Sequence, residues 1–150
     1  KYDIGYDMFD TIMHAREIQA KNLAQYLVDV ASGPTYMSKT IVIHGKAYKP
    51  DVEYCIGSYS TLVGHYIKEA GYDVAYVDPL ADDKTECVDS LDGPHVILNA
   101  HNRQITYGYT GEQEKQRFYM NIPHGSVIVD PWRELQNTPE YEVIHYGNTR

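Results

Sequence analysis

Residues 40–51, which read TIVIHGKAYKPD, decide the fold class of this chain of 150 residues. The run Thr40–His44 is apolar or β-branched almost throughout, which predicts a strand buried on both faces, because a half-exposed strand would alternate apolar and polar residues. A glycine and two lysines then predict a loop. Similar short segments recur along the chain, namely Asp73–Val77, Glu86–Val88 as a short edge strand, His95–Asn99, Ser126–Val129 and Tyr141–His145.

Segments with helical spacing separate these strands. Ser58–Ala70 has apolar residues every three or four positions, a serine to cap its start and Gly71 to end it. A further helix is predicted over 111–121, and a short one near 133–136. Apolar strands that alternate with helices are typical of a buried parallel sheet. We therefore predict an α/β fold, a Rossmann-like, doubly wound and mainly parallel sheet of five to six strands.

A long N-terminal helix precedes the first strand. Apolar residues recur every three or four positions across residues 9–30, and Gly33-Pro34 ends the pattern. A helix of this length links domains or packs against a partner, or it lies on its own domain, and the pattern leaves both open. We assign 1–34 to a linker or dimerisation helix and 35–150 to the α/β domain.

Composition excludes several classes of function. The chain has 13 Lys and Arg against 21 Asp and Glu, a formal charge of −8, which argues against nucleic-acid binding. It lacks the ~18 apolar residues in a row that a membrane helix needs. Cys55 and Cys87 form no CxxC pair, so neither a disulfide framework nor a metal site is predicted, and a reducing, cytoplasmic setting is expected. No catalytic constellation is evident.

The loops after the strands carry the candidate binding residues. Ligands of doubly wound sheets bind beyond the carboxyl ends of the strands. Cations and aromatic rings together there suit an anionic ligand with a flat ring, such as a nucleotide. The alternative is that these are ordinary polar loops and that Trp132 covers the core. The residues concerned are Lys46, Tyr48, Lys49, His101, Arg103, Trp132 and Arg133.

A dinucleotide site is not predicted in this chain. Neither GxGxxG nor GxxxxGK[ST] occurs in the sequence. Asp78 ends the second predicted strand, where an acidic residue of a dinucleotide fold meets the ribose. Without the glycines, a turn at Asp78-Pro79 is the favoured interpretation.

The segment Gly45–Asp51 is similar to a loop with the pattern G-x-A-[YF]-K-x-[DN]. That loop belongs to the C-terminal, nucleotide-sugar-binding domain of the UDP-glucose/GDP-mannose dehydrogenase family, which the chain resembles over almost its whole length. The opening helix, HAREIQAKN in residues 14–22, is similar to the end of the family's central, dimer-building helix. Further matches are Glu69–Pro79, His95–His101, Ser126–Asp130 and Val143–Gly147.

This resemblance implies a role in oxidising the C6 hydroxyl of a UDP- or GDP-linked sugar, with NAD as the oxidant of the full-length enzyme. It implies that Lys49, beside Tyr48, holds the nucleotide sugar and that Arg133 contacts the nucleotide. It also implies a homodimer through the first helix. The NAD-binding domain and the catalytic cysteine have no counterpart here, so this chain alone is predicted to bind but not to oxidise.

One family segment is altered in this sequence. Where the family has D-x-R-E-S-P, the arginine, glutamate and proline positions hold Ile56, Gly57 and Tyr59, and only Ser58 is shared. These changes favour the alternative of a non-catalytic α/β module with a decayed ligand site and a helix-mediated dimer role. Retention of Lys49 and its neighbours favours nucleotide-sugar binding.

Overall fold

The computed structural model describes residues 7–34, 39–50, 52–101 and 122–147. Within them, the helices are α1, Met8–Ala31, and α2, Tyr59–Glu69. The strands are β1, Thr40–His44; β2, Asp73–Val77; β3, Val96–Asn99; β4, Ser126–Asp130; and β5, Tyr141–His145. Each matches a predicted element within one or two residues, apart from the less sharply predicted bounds of α1.

Three minor predictions have different outcomes. The helix predicted over 111–121 lies outside the described residues. The short helix predicted near 133–136 is wrong, since residues 133–138 have no regular structure. The edge strand predicted at Glu86–Val88 is reduced to a single bridge between Tyr76 and Cys87.

The five strands form one sheet in the order β2-β1-β3-β4-β5, with every pair parallel. Ile41 of β1 pairs with Val74 on one side and Val96 on the other. The strands β1, β3 and β4 are buried almost throughout, which explains their continuous apolar sequences. The predicted α/β, Rossmann-like fold is confirmed.

The connections between strands use both faces of the sheet. Val63 and Ile67 of α2 pack on the face that carries Ile41 and Ile43. Leu91 and Leu135, from the connections into β3 and β5, pack on the opposite face with Val42, Ile97 and Ile128. The connection from β1 to β2 runs one way across the sheet, and the later connections run the other way. Right-handed crossovers in opposite directions lie on opposite faces of a sheet.

The helix α1 has two different halves. Its second half packs on the same face as α2, and Leu23 and Leu27 are buried there. In its first half, Phe9 and Ile12 are exposed, although they continue the same apolar spacing. The carboxylate of Asp7 caps the start by accepting from two backbone N–H groups. The chain therefore folds with half of α1 in its core.

Searching the described part of the chain reveals no helix both long and apolar enough to traverse a membrane.

Candidate functional site

A cleft of about 500 Å³ lies at the edge of the sheet formed by the carboxyl ends of its strands, hereafter the carboxyl edge. The strand order changes direction between β1 and β3, and ligands of open α/β sheets bind beside such a point. The cleft runs from α1 across the end of β3 to the loop that follows β4. Leu23 and Leu98 give it apolar lining, and its polar or aromatic lining residues are Gln19, Asn22, Tyr59, Trp132 and Tyr146.

Trp132 forms a fixed aromatic wall of this cleft. Its indole Nε1 donates to the carbonyl of Asn99 at 3.1 Å, and its backbone N–H donates to Asp130 at 3.0 Å. These bonds hold the ring against the end of β3, yet the residue remains 47% exposed. A half-exposed tryptophan with its only polar atom already satisfied is suited to stacking against a flat ring.

Asp130 organises the loop that carries Trp132. Its fully buried carboxylate accepts from the backbone N–H groups of Trp132, Glu134 and Leu135 and from the amide of Asn99, at 2.9–3.2 Å. Arg133 lies among these residues with a left-handed backbone, φ +60°, which a right-handed helix does not accommodate, so residues 133–136 form no helix.

The two tyrosines of the cleft, Tyr59 and Tyr146, interact with neighbouring side chains. Burial is the main cause that raises the pKa of Tyr59, Tyr146 adds to it, and Arg16 opposes it. The Tyr59 hydroxyl is therefore protonated at neutral pH and can donate or accept a hydrogen bond. The ring of Tyr146 packs 5.1 Å from that of Tyr26, and Arg16 donates to the carbonyl of Gly57 at 2.6 Å.

Arg133 follows Trp132 directly in the chain. Its backbone is left-handed, with φ +60°, and its Nη2 donates to the carbonyl of Gly147 at 2.8 Å. The side chain is exposed, and a guanidinium has further donors beyond the one used here. Arg103, the other predicted arginine, lies outside the described residues.

Tyr48 and Lys49 lie in the loop between β1 and α2. Both are exposed, Tyr48 to 60%, and neither is among the residues that line the cleft. The loop is fixed through its backbone, because the N–H of Tyr48 donates to the carbonyl of Tyr54 at 2.8 Å. These two predicted residues are thus open to a ligand at the carboxyl edge but outside the cleft itself.

His101 is placed inside the protein rather than at its surface. It is 4% exposed, and its Nε2 lies 2.9 Å from the carbonyl oxygen of Ala47. Its ring packs so closely on Gly45 that a β-carbon there would lie 2.5 Å from it. The observed contacts of His101 tie the end of β3 to the β1–α2 loop.

Lys46 does not face a ligand, contrary to its interpretation as a binding cation. It is 2% exposed, and its Nζ donates to the carbonyl and carboxylate of Asp83, at 3.0 and 2.8 Å, and to the carbonyl of Thr85 at 2.6 Å. These bonds use all three ammonium protons. The hydrogen bond from Lys46 is also the main cause that lowers the pKa of Asp83, so this pair holds the β2–β3 connection.

Asp78 has the turn role that the sequence favoured. One carboxylate oxygen accepts from the backbone N–H groups of Lys46 and Ala47, at 2.8 and 2.9 Å, and the other from that of Leu80 at 3.2 Å. In a dinucleotide fold, N–H groups of the first strand–helix turn hold the pyrophosphate. Here a buried carboxylate occupies the N–H groups of Lys46 and Ala47 in that turn.

Metal-ligating and thiol groups add no reactive centre in the described ranges. No cluster of three or more His, Cys, Asp or Glu side chains there could hold a metal ion. Cys55 and Cys87 are free thiols, and burial is the main cause that raises the pKa of each.

The structure adds residues that the sequence interpretation missed, namely Gln19, Asn22, Tyr59 and Tyr146. Gln19 and Asn22 are three positions apart on α1, so they share a helix face, and Leu23 beside them is buried. That placement at the border of the buried stripe is the signal that could have found them.

In comparisons with known proteins, no protein-family model and no curated protein matches this chain. The case for a function therefore depends on the residues of the cleft and of the loops around it.

Proposed function

We propose that this chain binds a UDP- or GDP-linked sugar at the carboxyl edge of its sheet. In this proposal it is the nucleotide-sugar-binding domain of an NAD-dependent nucleotide-sugar 6-dehydrogenase. NAD and the catalytic cysteine then belong to parts of the enzyme outside these 150 residues. The observation that carries the proposal is the cleft beside the β1/β3 switch point, with Trp132 as a fixed aromatic wall.

The charges around the cleft support the same class of ligand. The chain is acidic overall, with a formal charge of −8, yet Lys49 and Arg133 are exposed in loops that follow β1 and β4. The carboxyl ends of parallel strands lie at the same edge of a sheet, so these cations and the aromatic wall lie at the carboxyl edge. Arginine and lysine bind phosphate, and an indole stacks on a flat ring. The resemblance of Gly45–Asp51 to the family's loop agrees with this arrangement.

A ligand-induced shift in thermal unfolding tests the proposal. The probes are UDP-glucose, GDP-mannose, UDP, GDP and NAD. A ligand present at about 100 times its Kd adds about 2.7 kcal/mol of stability, which raises the Tm of a chain of this size by several degrees. We expect a shift with UDP or GDP compounds and none with NAD. The proposal is contradicted if NAD alone raises the Tm, or if none of the probes raises it.

Matched lysine variants locate the site. Lys49→Ala removes a cation at the carboxyl edge and should weaken binding by about 1.5–3 kcal/mol, the range of hydrogen bonds to charged groups. Lys39→Ala is the control, because Lys39 is also exposed but lies just before β1, at the opposite edge of the sheet. Equal affinities for the two variants would place the ligand elsewhere.

A second candidate function is that of a non-catalytic module that pairs through α1. Two observations favour it. Ile56, at the family's arginine position, is 73% exposed and offers no charge, and several apolar residues of the first half of α1 are exposed. The latter are Met8, Phe9, Ile12, Met13 and Ile18. In this second candidate function, the surface pairs with a second copy of the chain.

Sedimentation velocity tests the homodimer. We expect the wild type to show a concentration-dependent dimer that the double variant Phe9→Glu, Ile12→Glu abolishes, because charge placed in an apolar contact opposes association. Gln25→Glu, which changes an exposed position in the second half of α1, is the control. A wild type that stays monomeric at all concentrations rules the homodimer out.

A further inference from the structure

The lining of the cleft is neutral. Among the described residues that form it, the polar groups are the amides of Gln19 and Asn22, the hydroxyls of Tyr59 and Tyr146, and the indole of Trp132, and none carries a charge. The remaining lining is apolar and includes Leu23 and Leu98. A phosphate moved into such lining would lose its hydration, and none of the described lining residues offers it a cation. The phosphates of a nucleotide therefore belong outside the cleft.

The distribution of polar groups then separates a base from a sugar. A hexose carries hydroxyls around its whole ring, and several of them would face apolar residues such as Leu23, Leu98 and Pro131 without a hydrogen-bond partner. A nucleobase has two apolar faces, and its donors and acceptors are confined to its edge. The cleft combines a flat aromatic wall with a small number of polar groups, and this combination matches a base better than a sugar.

We infer that the cleft holds the base of the nucleotide, with one face of its ring on Trp132 and its edge toward the amides of Gln19 and Asn22. This inference rests on the proposed function and adds the orientation of the ligand. An amide offers a donor and an acceptor side by side, which is the arrangement that reads a base edge in proteins. Because Gln19 and Asn22 lie on α1, this helix becomes a determinant of base specificity.

The same orientation places the phosphates of the ligand beside Arg133. Arg133 follows Trp132 in the chain, and one nitrogen of its guanidinium already donates to Gly147. Its remaining donors lie on the solvent side of the loop, where the side chain is exposed. The phosphates leave the cleft at this loop, and the sugar lies beyond them, outside the apolar lining.

The fluorescence of Trp132 tests the inference directly, because it is the single tryptophan of the chain. Stacking of a base on the indole should quench its emission when the indole is excited at the red edge of its band, where nucleobases do not absorb. We expect UDP, GDP and UDP-glucose to quench it. Glucose 1-phosphate and pyrophosphate, which lack a base, should leave it unchanged at the same concentrations. N-acetyltryptophanamide is the control for collisional quenching.

Substitutions give a second, independent measurement by calorimetry. Trp132→Ala should raise the Kd of UDP-glucose about 5- to 150-fold, the cost of removing one base–aromatic stack. Trp132→Phe keeps a ring and should retain part of the affinity. Gln19→Ala and Asn22→Ala should change the ratio of the UDP and GDP affinities. Gln25→Ala, an exposed glutamine on α1 that does not line the cleft, should not.

The outcomes distinguish this inference from the proposed function. If UDP-glucose binds by calorimetry but neither quenches Trp132 nor depends on Gln19 and Asn22, the base lies elsewhere and the inference is wrong, while nucleotide-sugar binding stands. If no nucleotide compound binds, both are wrong. If glucose 1-phosphate quenches as strongly as UDP-glucose, the cleft holds the sugar and the orientation is reversed.

Discussion

Above β1 and β2, a buried lysine bonds to the loop that covers the carboxyl edge, whereas above β3 and β4 a half-exposed tryptophan borders an open cleft. In the first region, Lys46 bonds to Asp83 and Thr85, and Asp78 bonds to the turn after β1. In the second, Trp132 is held by its indole Nε1 and its backbone N–H and remains half exposed. The difference shows that a cation in a loop after a strand can be used entirely within the protein, as Lys46 is, or keep unused donors, as Arg133 does.

The largest expected effect comes from Gly45, where the two regions touch. Its φ is +101°, and a β-carbon would lie 2.5 Å from the ring of His101. Gly45→Ala should lower the free energy of unfolding by about 3–4 kcal/mol, since the left-handed backbone and the crowded ring each cost about 1–2 kcal/mol or more. Urea denaturation measures this.

Gly57→Ala is the matched control for that variant. Gly57 also has a positive φ, +74°, but no atom lies within 4 Å of the position of its β-carbon. It should cost about 1 kcal/mol, the backbone contribution alone. If the two variants cost the same, His101 does not pack on Gly45 as the structure has it, and the two regions are not joined there.

The strands were predictable because their environment acts on each residue directly. A strand buried on both faces requires apolar residues at every position, so TIVIH at Thr40–His44 is sufficient to identify it. The same local logic gave Ser58 or Ser60 as the cap of α2, and in the structure it is Ser58, which accepts from the N–H of Ser60. Such signals lie within a few residues of the element that they specify.

The errors have causes that lie far away in the sequence. The burial of Lys46 depends on Asp83 and Thr85, which come back to β1 only because β2 pairs beside it. The helix predicted near 133–136 is replaced by a loop in which Arg133 is left-handed and its side chain donates to Gly147. Both outcomes need the three-dimensional neighbours, which spacing along the chain does not supply.

The cleft shows the same limitation. It forms where α1 meets the loop after β4, so Gln19 and Trp132 become neighbours only in the folded sheet. The apolar spacing of α1 also runs through both of its halves without distinction. Only the second half lies over the sheet, which is why Leu23 is buried and Phe9 is exposed.

Lys46→Met should have a smaller effect on stability than Gly45→Ala, and it tests whether Lys46 serves the fold rather than the ligand site. Methionine keeps most of the buried volume but makes none of the three hydrogen bonds, so we expect a loss of about 2 kcal/mol at neutral pH. Lys39→Met, at an exposed position, should change stability by less than about 0.5 kcal/mol. Urea denaturation of both variants measures the difference.

The pH dependence of the same variant identifies the partner. Lys46 holds the pKa of Asp83 below its usual range, so the ionised pair stabilises the fold above the usual aspartate pKa. That contribution disappears as the pH falls through the lowered pKa, so the difference in stability between the wild type and Lys46→Met should narrow in strong acid, while the bonds to the carbonyls of Asp83 and Thr85 remain. Under the proposed function, the affinity for UDP-glucose should be unchanged in Lys46→Met, because the donors of Lys46 are used by Asp83 and Thr85. A variant that kept its stability and lost nucleotide binding would show that Lys46 itself contacts the ligand.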